Sequence, residues 1–377
     1  MSATADRVAR AALCRLGEPG DPRLTGLVAE VGAPLVHDRL LIETDERGLA
    51  SDVAQRLSAL DPVSDLRRAA ERGIRFVVPG DEEWPARLGD LDRAEPLAGR
   101  GGAPLGLWVR GPLHLAETVE RAVAVVGSRS ATSYGGGVAG EIGATLAKQG
   151  HTVVSGAAFG IDQAAHRGAL AVRGPTIAVL ACGVDRAYPA AHRQLLDYIA
   201  DVGVVVSEAA PGCAPTKIRF LARNRLIAAM SHGTVVVEAA IRSGALNTAS
   251  WAAGLSRVLM GVPGPVNSAP SVGVHQLIRT RGALLVTDGH EVLEAVAPVG
   301  RHTVGRLQEP ARPRDLLTPS QRQVLDAVPL QQGAPAGSIA RAAGLSPVRV
   351  QETLADLLSG GFVEHAAGRW RLAADMG

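Results

Sequence analysis

A chain of 377 residues, 46% hydrophobic and 20% charged, has the composition of an ordinary folded protein and length enough for two or three domains. A formal net charge of +2 excludes a blanket polycation, and no apolar run approaches the ~18 residues of a membrane span. Cys14, Cys182 and Cys213 are scattered with no CxxC pair, which speaks against a disulfide framework or zinc site and predicts a reducing, cytoplasmic location.

The start, Met1 to Arg7, lacks the apolar core of a secretion signal. Residues 1–74 read as a small helical domain, with helices over Arg7 to Leu16, Leu24 to Val31 and Val53 to Leu60 between Gly and Pro breaks. Ile74 to Val78 and Leu107 to Val109 then read as strands around a Gly/Pro-rich loop. From Val123 onward one construction recurs: a short apolar run ends in a turn of small residues, and a helical stretch follows. The runs are Val123–Val126, Thr152–Val154, Thr176–Leu180, Val204–Val206, Val235–Val237 and Val258–Val262. Runs apolar on both faces and alternating with helices predict an α/β fold: an extended Rossmann-like, doubly wound, mainly parallel sheet over 75–299. Ligands of such sheets bind beyond the strand carboxyl ends, where the Gly/Ser turns lie. Residues 300–317 read as a Pro-containing linker. In 318–377, three helices and a hairpin give the order of a winged helix. Its third helix sets Arg349 against Glu352 and Asp356, a balance that favours a protein-contact or purely structural module over DNA contact.

Charge distribution says more than the total. Ala209 to Val237 holds no carboxylate, yet contains Lys217, Arg219, Arg223 and Arg225. Phe220 lies among these cations, and an aromatic between phosphate-binding side chains suits a single strand: the ring stacks on a base while the cations follow the backbone. Packing in the core is the competing reading for Phe220. Four or five neutralised phosphates predict a log K against log salt slope of roughly −3 to −3.5.

Arg129, in the turn Gly127-Ser128-Arg129, can grip two phosphate oxygens at once or be tied to an internal carboxylate. Gly135 to Gly140 matches GxGxxG in letters, but eight residues separate it from the strand and no ribose-binding carboxylate follows the second strand. No dinucleotide cofactor is expected, and no P-loop, HExxH or nucleophile elbow occurs to supply metal or covalent catalysis. Asp162 and His166, four apart, read as a satisfied pair near a helix start. Glu238 is open between acid–base chemistry, an Arg129 partner and an acceptor for turn N–H groups. Ser243 or Asn247 caps the helix that follows.

Taken in order, Gly127-Ser128-Arg129, Ser155-Gly156 through Gly160-Ile161-Asp162, Tyr188-Pro189, Ser207-Glu208, Phe220 to Arg225 and Ser243-Gly244 with Thr248 resemble the motif series of the DNA-processing protein A (DprA/Smf) family. The resemblance covers about Phe76 to Val296. Leu221 stands where the family motif has proline, and His192 where Asn is common. The resemblance implies a cytoplasmic, homodimeric, non-enzymatic protein, without cofactor or metal, that binds and protects single-stranded DNA and loads RecA in natural transformation or recombination. It implies phosphate contacts by Arg129, Lys217 and Arg225, stacking by Phe220, and a turn offered by Ser155 and Gly156. The candidate DNA-binding set is completed by Ser128, Arg223, Asn224, Ser243 and Gly244. The alternative is a phosphoribohydrolase-like enzyme, since Gly233-Thr234 to Glu238 resembles a GGxGTxxE loop with its spacing shifted by one residue.

Overall fold

The computed structural model describes residues 3–44, 50–298 and 313–373. Their contacts divide into two units, Met1–Val304 and Gly305–Gly377. The part of the expected linker from 300 to 312 lies outside the described residues.

The first unit opens with five helices: α1 (Ala3–Leu16), α2 (Pro22–Val31), α3 (Ala33–Leu41), α4 (Asp52–Ser58) and α5 (Pro62–Ala70). The sequence reading missed α3 and α5 because each carries a proline that looks like a breaker. In α5, Asp61 caps the helix by accepting the Ser64 N–H, and Pro62 takes the first position, where no N–H is required. Leu13, Val28, Ala33 and Val36 bury together between these helices.

Strands and helices then alternate: β1 (Ile74–Val77), β2 (Leu107–Arg110), α6 (Leu115–Val119), β3 (Ala122–Val126), α7 (Ser133–Lys148), β4 (Thr152–Ser155), α8 (Ile161–Ala171) and β5 (Thr176–Leu180). They continue as α9 (Arg193–Val202), β6 (Val204–Ser207), α10 (Lys217–Ala229), β7 (Gly233–Val236), α11 (Ala245–Gly254), β8 (Val258–Gly261), α12 (Ala269–Arg281), β9 (Leu284–Leu285) and α13 (Gly289–Val296). The nine strands form one sheet in the order β1-β2-β6-β5-β4-β3-β7-β8-β9. Only the pairings of β1 with β2 and β2 with β6 are antiparallel.

Side-chain alternation along β3 explains the two layers of helices. Val123 and Val125 pack with Ile142 of α7 and Ile161 of α8, whereas Ala122, Ala124 and Val126 pack with Leu226 of α10 and Trp251 of α11. Both faces are fully covered, which is why these strands read as unbroken apolar runs. From β3 the chain proceeds to β4 on one side, while β7 pairs on the other, in register Val126↔Val236. The order reverses at β3, so a crevice opens at its carboxyl end.

The second unit contains α14 (Pro319–Asp326), α15 (Ala336–Ala343), α16 (Pro347–Ser359) and an antiparallel pair, β10 (Val363–Ala366) and β11 (Arg369–Leu372). Val324, Ile339, Leu354 and Trp370 lie in its own core.

Candidate nucleic-acid interface

Thr216 starts α10 by accepting the Arg219 N–H on its hydroxyl at 3.2 Å. The helix runs unbroken through Leu221, so the leucine in place of proline does not disturb its entry. Lys217, Phe220, Asn224 and Ile227, spaced three and four apart, share one face of α10. They line a cleft of about 750 Å³ together with the Gly127–Ser130 turn after β3 and the Arg242–Ala245 segment that enters α11. Two helix amino termini therefore border the cleft, and the partial positive charge at each favours an anion.

The half-buried Phe220 ring is the centre of the site. The Arg129 guanidinium carbon lies 4.8 Å from its centroid and that of Arg223 5.8 Å, while the Tyr188 ring sits 5.6 Å away on a tilt. Arg129, Lys217 and Arg242 are exposed and make no ion pair among the described residues. Arg223 differs. It is buried, and its Nη1 donates to the Gly156 carbonyl at 2.7 Å and the Val179 carbonyl at 2.6 Å. Burial pushes its pKa down to about 10; Asp162 opposes that shift and Arg129 adds to it, so the side chain is a cation at neutral pH. Asn224 ties the helices together, its amide donating to Asn247 Oδ1 at 3.2 Å and the Gly244 carbonyl at 3.4 Å.

Of the eleven residues proposed from sequence, Ser128, Arg129, Lys217, Phe220, Arg223, Asn224, Ser243 and Gly244 meet at this cleft. Ser155, Gly156 and Arg225 do not. Ser155 is buried and donates its hydroxyl proton to the Val125 carbonyl. The Gly156 N–H donates to Asp162, so the turn offers no free donor there. Gly156 is glycine for Arg223: a Cβ at that position would lie 1.9 Å from Arg223 Nη1. Arg225 is fully buried in a two-pronged ion pair with Glu208 at 2.7 and 2.8 Å, and also donates to the Gly102 and Ala222 carbonyls. Arg219 leaves the basic cluster as well, since it pairs with Glu18 at 2.8 and 2.9 Å, and that hydrogen bonding raises its pKa. The count of available cations in the carboxylate-free window is thus smaller than the sequence suggested.

Three further readings resolve. Glu238 is buried and its carboxylate accepts the Thr132 N–H at 2.9 Å and hydroxyl at 2.5 Å, while its carbonyl accepts the Ser128 N–H. It is a turn acceptor, not a partner of Arg129. Gly135, the first glycine of the GxGxxG-like run, exists for that carboxylate, because a Cβ there would lie 2.3 Å from Glu238 Cδ. Asp162 and His166 do not pair. Asp162 accepts the Gly156 and Ala158 N–H groups, and His166 Nδ1 donates to the Thr176 hydroxyl. Burial raises the Asp162 pKa and lowers that of His166 to about 3, keeping the imidazole neutral. Ser243 accepts the Ala245 N–H at 3.3 Å, but Gly244 holds the cap position of α11 with no side-chain cap bond, so neither Ser243 nor Asn247 caps that helix.

Sequence reasoning missed Tyr188 and Arg242 as site residues, although both line the cleft. Arg242 directly precedes the chosen Ser243-Gly244 turn, and that adjacency was the available signal. Tyr188 was visible only as a motif letter. Among the described residues no cluster of His, Cys, Asp and Glu could hold a metal ion, and no helix is long and apolar enough to cross a membrane.

The profile of the family described as DNA recombination-mediator protein A matches residues 75–297. A putative DNA processing protein DprA of Mycobacterium tuberculosis is 44% identical over 365 residues, covering 96% of this chain and 92% of that one. The DNA processing protein DprA of Streptococcus pneumoniae is 42% identical over 251 residues, covering 66% of this chain and 87% of its own. The crystal structure of the S. pneumoniae protein superposes with a TM-score of 0.64 at 30% identity, over 79% of this chain and 100% of that one. The DNA processing protein A of Helicobacter pylori, solved in a study of its single-stranded DNA binding mode, gives 0.50 at 27% identity over 58% and 94%.

Proposed function

We propose, since the chain belongs to the DNA recombination-mediator protein A family and so to DNA processing in recombination, that its cleft binds single-stranded DNA without cutting it. The observation that carries this reading is that three exposed cations without an ion pair among the described residues, Arg129, Lys217 and Arg242, line one cleft with the half-buried Phe220, Arg129 lying against its ring. The cations hold successive phosphates and the ring receives a base, a combination indifferent to sequence. A duplex keeps its bases stacked inside and cannot use the ring. The Glu238 carboxylate is committed to Thr132, which supports a binding site over a phosphoribohydrolase.

Protection of the strand, its delivery to RecA and assembly as a homodimer are implied by the family resemblance and form part of the same proposal. So is the reading of the second unit as a winged helix, supported by its three helices and antiparallel pair. The test is fluorescence anisotropy with single-stranded and duplex oligonucleotides at several salt concentrations. With three or four usable cations the log–log salt slope is about −2 to −3, shallower than the charge count in the sequence implied. Arg129→Glu weakens single-strand binding for every sequence alike. Equal affinity for duplex, or binding insensitive to salt, would sink the reading.

A further inference from the structure

Phe159, Tyr188 and Phe220 are three of only 4 Phe and 3 Tyr in the chain, and Tyr188 and Phe220 line the cleft. Tyr188 is 43% exposed and Phe159 45%, though large rings ordinarily find burial. The Tyr188 ring neighbours Phe220 at 5.6 Å. Ala158 lines the cleft, and Phe159 follows it directly. Phe159 rests edge-to-face on His192, with centroids 4.5 Å apart at 69°. That support is rigid: His192 is 2% exposed, and its Nδ1 donates to the Ala157 carbonyl at 2.9 Å. His192 also lies in the same short segment as Tyr188, four residues on. Tyr188 thus neighbours Phe220 after β5, and Phe159, held on His192 four residues beyond Tyr188, stands exposed after β4.

We propose that Tyr188 and Phe159 are further base-stacking platforms, which receive the nucleobases that follow the one held on Phe220. This rests on the single-strand reading above and extends the site by one or two nucleotides, again without sequence preference, because every base has a flat face. The exposure is then functional, since a base covers each ring in the complex.

The experiment compares a two-nucleotide and a nine-nucleotide oligothymidylate on wild type, Phe159→Ala, Phe159→Leu, Phe159→Trp, Tyr188→Ala and Arg129→Glu, with melting temperatures recorded for each. Losing one stacked base corresponds to about 5-fold to 150-fold in affinity. Phe159→Ala and Phe159→Leu are expected to lose within that range on the long oligonucleotide and distinctly less on the short one. Tyr188→Ala loses on the long one too, and Phe159→Trp retains affinity. Recovery by Phe159→Leu would mean that the side chain only packs on His192, and would overturn the proposal. So would unchanged binding of the long oligonucleotide, or equal losses at both lengths. If Arg129→Glu weakens both lengths while the ring variants bind like wild type, the ring track alone fails; if wild type does not prefer single strands, the underlying reading fails instead.

Discussion

Replacing Arg225 with methionine separates a residue that holds the fold from residues that hold a ligand. Arg225 is 0% exposed, and its guanidinium is spent on both Glu208 oxygens and two carbonyls. Methionine fills much of the volume but leaves the Glu208 carboxylate, itself 6% exposed, without a counter-charge. Removing one partner of a buried pair costs about 3–5 kcal/mol. At roughly 2 °C per kcal/mol for a unit of this size, the melting temperature falls by about 6–10 °C. A double variant, Arg225→Met with Glu208→Leu, removes the stranded charge and recovers most of that loss. Lys217→Met is the matched control. That side chain is exposed, so stability stays within about 0.5 kcal/mol, whereas the salt slope of single-strand binding shrinks by about 0.7. Thermal denaturation and anisotropy titration on the four proteins decide the matter. If Arg225→Met melts with wild type, or the double variant is no better than the single, the ion pair does not do what its geometry implies.

Gly156→Ala places a methyl on Arg223 Nη1 and costs it two carbonyl acceptors; a loss of at least about 2 kcal/mol in urea unfolding is expected, and none would contradict the close approach. For His166, burial and then Arg223 hold the folded pKa at about 3, far below the unfolded ~6.5, so only the unfolded chain takes up that proton between those values. Its contribution to stability is whole above about pH 6.5 and declines by up to ~1.4 kcal/mol per pH unit as pH falls toward 3; His166→Gln should flatten this part of the profile. Glu18→Gln, which weakens the grip on Arg219 at a partly exposed pair, lowers stability by no more than about 1 kcal/mol, and a larger fall in a melt would show that the segment is held by that contact alone. Nucleoside monophosphates are expected to remain intact with wild type; turnover abolished by Glu238→Ala would overturn the proposed binding reading.

The sheet was legible because Val-rich runs buried on two faces leave a pattern that no amphipathic element mimics. The Arg129, Lys217 and Phe220 constellation was legible for a similar reason, as a turn at a strand end and one helix face fix where each side chain goes. What stayed hidden were partners distant in sequence. A window free of carboxylates says nothing about Glu18 or Glu208 outside it, and those two remove Arg219 and Arg225 from the cleft. Gly156 looked like a ligand-binding glycine because glycine frequency cannot tell a ligand from an internal guanidinium. The nearness of Tyr188 to Phe220 was invisible too, since the two belong to separate connections, after β5 and after β6.

Helix α10 is a single rod of 13 residues gripped from two directions. One flank carries Lys217, Phe220 and Asn224 into the cleft. The other reaches back through Arg219 to Glu18, and Arg225 donates to the Gly102 carbonyl. A rod this short moves as one body, so any shift that opens the Glu18 and Gly102 contacts also displaces the cleft-facing side chains of Lys217, Phe220 and Asn224.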